Sequence, residues 1–440
     1  MQVTSLGWAP AIPSGWKVVP LNFVAKMGTG HTPDRNRKEY WESCTIPWVT
    51  TPDVTRRADS LAPLMETEQQ ISELGMANSA AVLHPTDTVM LSRTASVGYS
   101  VRIGRPMATT QAFVTWHAGP DLDPRYLLLA LRAMKQEWRR LAYGSTHLTI
   151  YMPDLESIRI PLPPLEEQRR IADFLHAETA RIDKMRLCSR RQVELLGDRF
   201  KEIMRRETTV SQGPAVETGV PWMPKMHHRW KLHKVSQEFR TASGTTPTSS
   251  DASYFDGPYP WVNSADVRDE LIRKAEKSVT KKALLDFSAL KVNPAGALVV
   301  ALYGQGTTKG RVGILDMDAC LNQACCALVP TGSISTEFAY YWFRAHKDGI
   351  VAQAVGAGQP NLSQELIRQL RIPAPDTTVQ LQITSRLRDF EKSARAQVSQ
   401  LERRDALLAE RRHSLIAAAV TGQFDVSTAS GRNVTDGVTA

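Results

Sequence analysis

From Ile171 onward, apolar residues recur at alternating steps of four and three through a stretch with neither proline nor paired glycine. The stripe runs Ile171, Leu175, Ile182, Val193, Leu196, Phe200 and Ile203, with Glu178, Met185 and Ser189 at its remaining positions. The same spacing returns at Ile383, Leu387, Phe390, Leu401, Leu408 and Leu415, with Ala394, Gln397, Asp405 and Arg412 between them. A four-three alternation is one face of an α-helix, and the extra step of four at the same place in both copies is a stutter that keeps two stripes in step. The pattern therefore predicts two long helices sharing an apolar seam. The alternative is that each stripe covers only its own globule. A helix of roughly 40 residues is about 60 Å long, however, and outreaches a globule of about 150 residues. Outside the helices, short β-rich runs such as DTVMLSRTASVGYSVRIG and GALVVALYGQGTTKGRVGIL alternate with turn residues. Such runs predict α+β globules.

The two stripes belong to a longer repetition. Trp16-Lys17 matches Trp230-Lys231, Gly30-His31-Thr32-Pro33 matches Gly244-Thr245-Thr246-Pro247, and Pro47-Trp48-Val49 matches Pro260-Trp261-Val262. Farther on, Gln111, Gly144 and Arg159-Ile160-Pro161 recur as Gln323, Gly356 and Arg371-Ile372-Pro373. This is a duplication, since only two copies exist and each is far longer than a solenoid repeat. The expected domains are a first globule over 1–160, a long helix over 161–208, a linker over 209–229, a second globule over 230–371, a second helix over 372–425 and a disordered tail over 426–440. The linker would be stretched nearly taut by parallel helices, so an antiparallel pair and a pseudo-two-fold molecule are expected.

Composition narrows the partner. The 54 basic residues exceed the 45 acidic ones, for a net charge of +9, which favours a polyanion. The five cysteines, Cys44, Cys188, Cys320, Cys325 and Cys326, form no C-x-x-C pair, so neither a disulfide framework nor a zinc site is indicated. No apolar run reaches membrane-spanning length and the N-terminus does not read as a signal peptide, so a cytoplasmic location is expected.

Catalytic motifs are absent. Gly304-Gln305-Gly306-Thr307-Thr308-Lys309-Gly310 has Lys-Gly where a phosphate loop needs Gly-Lys-Ser/Thr, and a hairpin is the better reading. There is no G-x-G-x-x-G after a strand, no G-x-S-x-G and no H-E-x-x-H. Asn293-Pro294-Ala295 lacks the second proline and the aromatic ring of an adenine methyltransferase site, and His227-His228 stands in no ligand pattern. A duplicated, basic chain without a reaction centre reads as a binding protein with no cofactor.

The segment Ile160-Pro161-Leu162-Pro163-Pro164-Leu165-Glu166-Glu167-Gln168-Arg169-Arg170-Ile171, the tryptophan-bearing starts at Trp16 and Trp230, and the Gly144 and Gly356 loops resemble the DNA-specificity subunits of type I restriction-modification systems. The second copy departs from the pattern, with Ala374-Pro375-Asp376 and Thr378-Val379-Gln380 replacing the Leu-Glu-Glu core while keeping Gln380, Ile383 and Leu387. The resemblance implies two target-recognition domains separated by an antiparallel coiled coil. It also implies a non-catalytic subunit that reads a gapped, bipartite site on double-stranded DNA, and holds two methyltransferase subunits and, in some systems, two restriction subunits. A coiled-coil scaffold without DNA specificity is the alternative function.

Side chains able to reach base edges or phosphates from loops are the expected readers. In the first globule these are Thr29, His31, Thr32, Arg93, Thr94, Thr146 and His147. In the second they are Thr245, Thr246, Tyr303, Gln305, Lys309, Gln359 and Asn361. Arg35, Arg37, Lys38, Arg56 and Arg57 are expected at phosphates or in solvent.

Overall fold

The structure is a computed structural model, described here for residues 1–145, 147–304, 306–354 and 360–427. It divides into two compact units, Met1–Arg190 with Glu402–Ala440, and Arg191–Leu401. Each unit thus takes its globule plus a segment from both long helices, which span Leu165–Thr209 and Thr377–Val420.

In unit 1 an antiparallel sheet runs in the order Ala25–Thr29, Phe113–Ala118, Val89–Ser92, Ser100–Arg102. A smaller sheet pairs Ile46–Val49 with Gln69–Ile71 and, in parallel, with Ala108–Thr109. The central strand Val89–Ser92 is buried along its whole length because both faces are covered. Its alternate residues enter different cores: Val89 and Leu91 join Trp116 and the helix Pro124–Ala133, while Met90 joins Val101 and Phe113 on the other side. Unit 2 repeats the plan in a five-stranded sheet. There Leu298 and Val300 enter one core, and Val299 and Ala301 enter another.

The start of each long helix is locked by one glutamine. Gln168 accepts from Asp123 N at 2.8 Å and donates to the carbonyls of Asp121 and Pro163, each at 2.9 Å. Gln380 accepts from Ser335 N at 2.8 Å and donates to the carbonyls of Ser333 at 3.0 Å and Pro375 at 2.8 Å. Both side chains are buried, so each tie joins a helix N-terminus to the capped start of the helix that packs on the sheet. The repeated proline-to-glutamine segment is the joint between globule and long helix. The second copy loses the Leu-Glu-Glu core but keeps the three bonds.

Pairing between the long helices is antiparallel within each unit. In unit 1, Arg186 meets Asp405 at 3.1 Å and Arg412 meets Asp183 at 3.1 Å. In unit 2, Phe200 stacks on Phe390 with centroids 5.5 Å apart, and Arg386 meets Glu207 at 2.8 Å. The stripe is not uniformly dry. Ile171, Leu175, Ile182 and Leu415 are buried in the unit 1 core, and Phe200, Ile383 and Leu387 in that of unit 2. Val193, Leu196, Ile203, Phe390, Leu401 and Leu408 are half-buried. Each stripe thus seals a globule at its end and faces a helix along its middle, where polar contacts such as Arg404 to Ser189 at 2.8 Å take over.

Two expectations need correction. Residues 209–229 are not a plain linker: Ala215–Val220 and Met223–His227 form an antiparallel hairpin. Met223 is buried, and its sulfur accepts from Trp342 Nε1 at 3.4 Å. The hairpin Gln2–Leu6 with Ala9–Ile12 is its counterpart, and in both a threonine, Thr4 or Thr218, bonds across the turn to the carbonyl of Ala9 or Met223. The duplication therefore begins near residue 2. Few apolar side chains hold these hairpins, so their alternation is too weak to read as strand. The expected tail over 426–440 is also not wholly loose, since Val426 packs against the unit 1 core, and the second helix, expected to 425, ends at Val420, beyond which Phe424 stacks on Phe174 at 5.5 Å. The rest, 428–440, lies outside the described residues.

Candidate nucleic-acid interface

Both units build one loop cluster by the same backbone device. A Cβ on Gly30 would sit 2.0 Å from the Thr109 carbonyl oxygen, and one on Gly244 would sit 2.0 Å from that of Leu321. Only glycine allows this approach. The next residue donates its N–H to that same carbonyl, His31 to Thr109 at 3.0 Å and Thr245 to Leu321 at 3.1 Å. A tryptophan then donates to its carbonyl, Trp48 Nε1 to His31 O at 3.3 Å and Trp261 Nε1 to Thr245 O at 3.2 Å. The Gly-x-Thr-Pro and Pro-Trp-Val repeats are thus two sides of one structural joint.

In unit 1 this joint gathers most of the expected readers. Thr32 Oγ1 donates to Gln111 Oε1 at 2.6 Å. Arg93 donates through Nε to the Gln111 carbonyl at 3.1 Å and through Nη1 to the Ile150 carbonyl at 3.4 Å. Thr94 bridges Thr149, and Ala95 N bonds the Leu148 carbonyl at 2.9 Å, so the loop bearing His147 joins the cluster. Thr29 uses its hydroxyl on the Phe113 carbonyl at 2.8 Å. Thr29 and Arg93 therefore hold loops together, whereas His31 and His147 are exposed. Thr146 lies outside the described residues.

The basic residues divide by partner. Arg35 lies 4.2 Å over the Trp41 ring and donates to Gln69 at 3.1 Å. Arg56 is paired with Glu68, and Arg57 donates to the carbonyls of Ala62 and Pro63, each at 3.2 Å. Arg57 is therefore a loop former. Gln111, Tyr143 and Tyr151 were not singled out as readers by sequence. The two tyrosines have centroids 5.7 Å apart and are 55% and 56% exposed, an aromatic pair beside His147. No sequence pattern marks them, because only the bridge between Tyr143 and Thr149 brings them to this edge.

In unit 2, Thr245 and Thr246 follow the equivalent glycine, and Tyr303 packs partly on the core. Lys309 donates to the Pro360 carbonyl, and Leu362 N bonds the Leu302 carbonyl at 3.1 Å, so the strand-end loop and the segment bearing exposed Asn361 adjoin. Lys309 is thus a loop tie. Gln305 and Gln359 lie outside the described residues.

Other polar groups are structural. Burial pushes the Cys320 thiol up to about 11 and that of Cys326 to about 12, so these are protonated packing groups. Among the described residues no group of three His, Cys, Asp or Glu side chains could hold a metal, and no helix is long and apolar enough to cross a membrane. Burial acts to raise the Glu238 carboxyl, but His233 at 2.5 Å and the N–H groups of Ile334 and Ser333 outweigh it and hold it below the usual range.

The family model for the type I restriction modification DNA specificity domain matches this chain twice, over residues 13–189 and 228–403. The chain belongs to that family. Each DNA specificity domain comprises one globule with the start of the long helix that follows it. Among curated relatives, the specificity subunit of the type I restriction enzyme MjaIX from Methanocaldococcus jannaschii is 22% identical, over 69% of this chain and 70% of its own length. The EcoR124I/EcoR124II specificity subunit from Escherichia coli is 27% identical, over 36% of this chain and 39% of its own. A solved chain from work on complex assembly and conformational transition of the type I R-M system superposes with a TM-score of 0.72 at 17% identity, over 94% of this chain and 99% of that one. The HsdS subunit from Thermoanaerobacter tengcongensis gives 0.52 at 16% identity, over 94% and 98%. These likenesses show the fold: duplicated α+β specificity domains, each followed by a long helix. The relatives are specificity subunits, which are non-catalytic.

Proposed function

We propose that the chain reads a gapped, bipartite site on double-stranded DNA, one half-site per specificity domain, and positions two methyltransferase subunits on it through its long helices. Two restriction subunits complete the assembly where the system cleaves, and the complex works in the cytoplasm. One observation carries the reading: the same glycine-and-tryptophan joint occurs twice, and each copy presents different side chains. His31 stands where Thr245 stands in the other copy, and Thr149 where Asn361 stands, whereas Thr32 and Gln111 recur as Thr246 and Gln323. A shared joint with unlike readers is what two unlike half-sites require. The first domain's readers are His31, Thr32, Gln111 and His147, with Arg35 at a phosphate; the second domain's are Thr245, Thr246, Gln305, Gln359 and Asn361.

The test is methylation sequencing after the chain is combined with its methyltransferase subunits. His31→Ala with His147→Ala should relax the motif in one half only, and Asn361→Ala in the other, each good base contact being worth roughly 1–3 kcal/mol. A motif altered in both halves by one domain's variants would defeat the division of labour. Unchanged affinity for duplex in all of them would favour a coiled-coil scaffold without DNA specificity.

A further inference from the structure

Unit 1 contains a cavity of 640 Å³ whose walls are cationic. It lies between the 95–99 loop, the helix Lys135–Leu141 and the end of the second long helix, and is lined by Arg132, Lys135, Arg139, Arg186, Arg412 and His413 against one carboxylate, Asp59. Two of the arginines are accounted for. Arg186 spans Asp59 at 2.9 Å and Asp405 at 3.1 Å, and Arg412 meets Asp183 at 3.1 Å. The rest are not. Arg132 donates through Nη2 to the carbonyls of Ser60 at 2.7 Å and Ser100 at 3.1 Å, but its Nη1 is buried with no partner. Among the described residues, Lys135 and Arg139 are exposed and form no ion pair. Burial, then Lys135 and Arg412, lower the pKa of His413.

The duplication supplies an internal control. The residue of unit 2 matching Arg132 is Arg344, and it meets Glu391 at 3.0 Å. The position matching Glu391 in the first long helix is Thr179, and the one matching Arg412 is Phe200, whose ring lies 5.5 Å from the Arg344 guanidinium. Unit 2 has filled and neutralised the place that unit 1 leaves open and positive. A buried guanidinium N–H without an acceptor is costly, so an anionic ligand is the natural complement. The volume suits a ligand of nucleotide size, and Tyr99 and Leu148, each 40% exposed, give it an apolar wall.

We propose that this cavity binds a nucleotide through its phosphate, held by Arg132, Lys135, Arg139 and His413. The nucleotide is either free or part of a DNA strand; the contacts are the same charge-assisted hydrogen bonds. The proposal does not depend on the assignment of base-reading loops.

The test uses the full chain and ADP as probe, followed by titration calorimetry at fixed ionic strength. Lys135→Glu with Arg139→Glu changes two exposed side chains and should weaken ADP at least about tenfold. Lys274→Glu with Lys291→Glu makes the same change of net charge on exposed residues of unit 2 and should leave ADP binding intact. If duplex DNA displaces ADP and the pocket variant weakens duplex in parallel, the occupant is a strand phosphate. If duplex and ADP bind independently, it is a free nucleotide. No ADP binding at about 1 mM, equal affinity in the pocket variant, or equal loss in the charge-matched control would overturn the proposal.

Discussion

Arg132 of unit 1 and Arg344 of unit 2 stand at the same place in the duplicated fold, yet their surroundings are opposite. Arg344 has a carboxylate at 3.0 Å and lies 4.8 Å over the Tyr340 ring. Arg132 has two backbone carbonyls and an unpartnered nitrogen, and burial followed by Arg412 pushes its pKa down to about 10. The duplication has preserved what shapes the backbone and released what fills the space around it. The glutamine tie, the glycine under a carbonyl and the tryptophan donor are the same in both units; the charged and aromatic side chains are not.

The strongest test of what is shared is a charge in the core. Leu175→Asp and Leu387→Asp each bury a carboxylate at a fully buried site, and each should destabilise by at least about 3 kcal/mol. Hydrogen exchange should show the loss in the unit that holds the residue, and DNA methylation by the assembled complex should fall with it. A mild effect in either copy would mean that the helix end does not seal its globule.

The glutamine tie comes next. Gln168→Leu and Gln380→Leu each remove three hydrogen bonds and leave one N–H and one buried proline carbonyl, Pro163 or Pro375, without a partner, and a loss of about 2–3 kcal/mol is expected in both. Equal losses, read by denaturant unfolding, are the expected result. A neutral Gln380→Leu would show that the divergent second copy is held by other contacts.

Glu391→Gln sharpens the contrast. It leaves Arg344 buried beside a neutral amide and should cost about 2–3 kcal/mol. Thr179→Val at the matching position removes only bonds to the helix's own Leu175 and His176 carbonyls and should cost less than about 1 kcal/mol. Comparable losses would erase the asymmetry between the units.

The last contrast is one of pH. His346 of unit 2 is held down to about 3 by burial and, secondarily, by Arg205, whereas the matching residue of unit 1 is Met134. Because the unfolded chain takes up this proton first, stability at His346 should fall as pH drops from about 6.5 toward the folded value, by at most about 1.4 kcal/mol per pH unit. Exchange in the helix Thr336–Ala345 should quicken over that range while that in Pro124–Ala133 changes less. His346→Phe should remove the difference.

Much of this was readable from the chain. The two long helices follow from a four-three spacing that no strand can satisfy, and the antiparallel pairing from a linker that parallel helices would stretch nearly taut. The duplication follows from residues that cannot be exchanged, such as Gly30, Gly244, Trp48 and Trp261. Their functions are backbone geometry and so survive as identity. What the sequence could not show was which loop residues are free. Arg93 and Lys309 look like readers by type, and each also bonds backbone carbonyls from distant segments, which no local pattern shows. The hairpin Ala215–Val220 with Met223–His227 was hidden because its few apolar side chains give it no period. Tyr143 and Tyr151 meet only when the 143–149 loop closes on Thr94. Local spacing determines elements, because the helix and strand periods act within a few residues. The charge balance around Arg132 and Arg344 was decided by tertiary structure, since it is set by side chains beyond the reach of local spacing, Arg412 near Arg132 and Glu391 and Phe200 at Arg344.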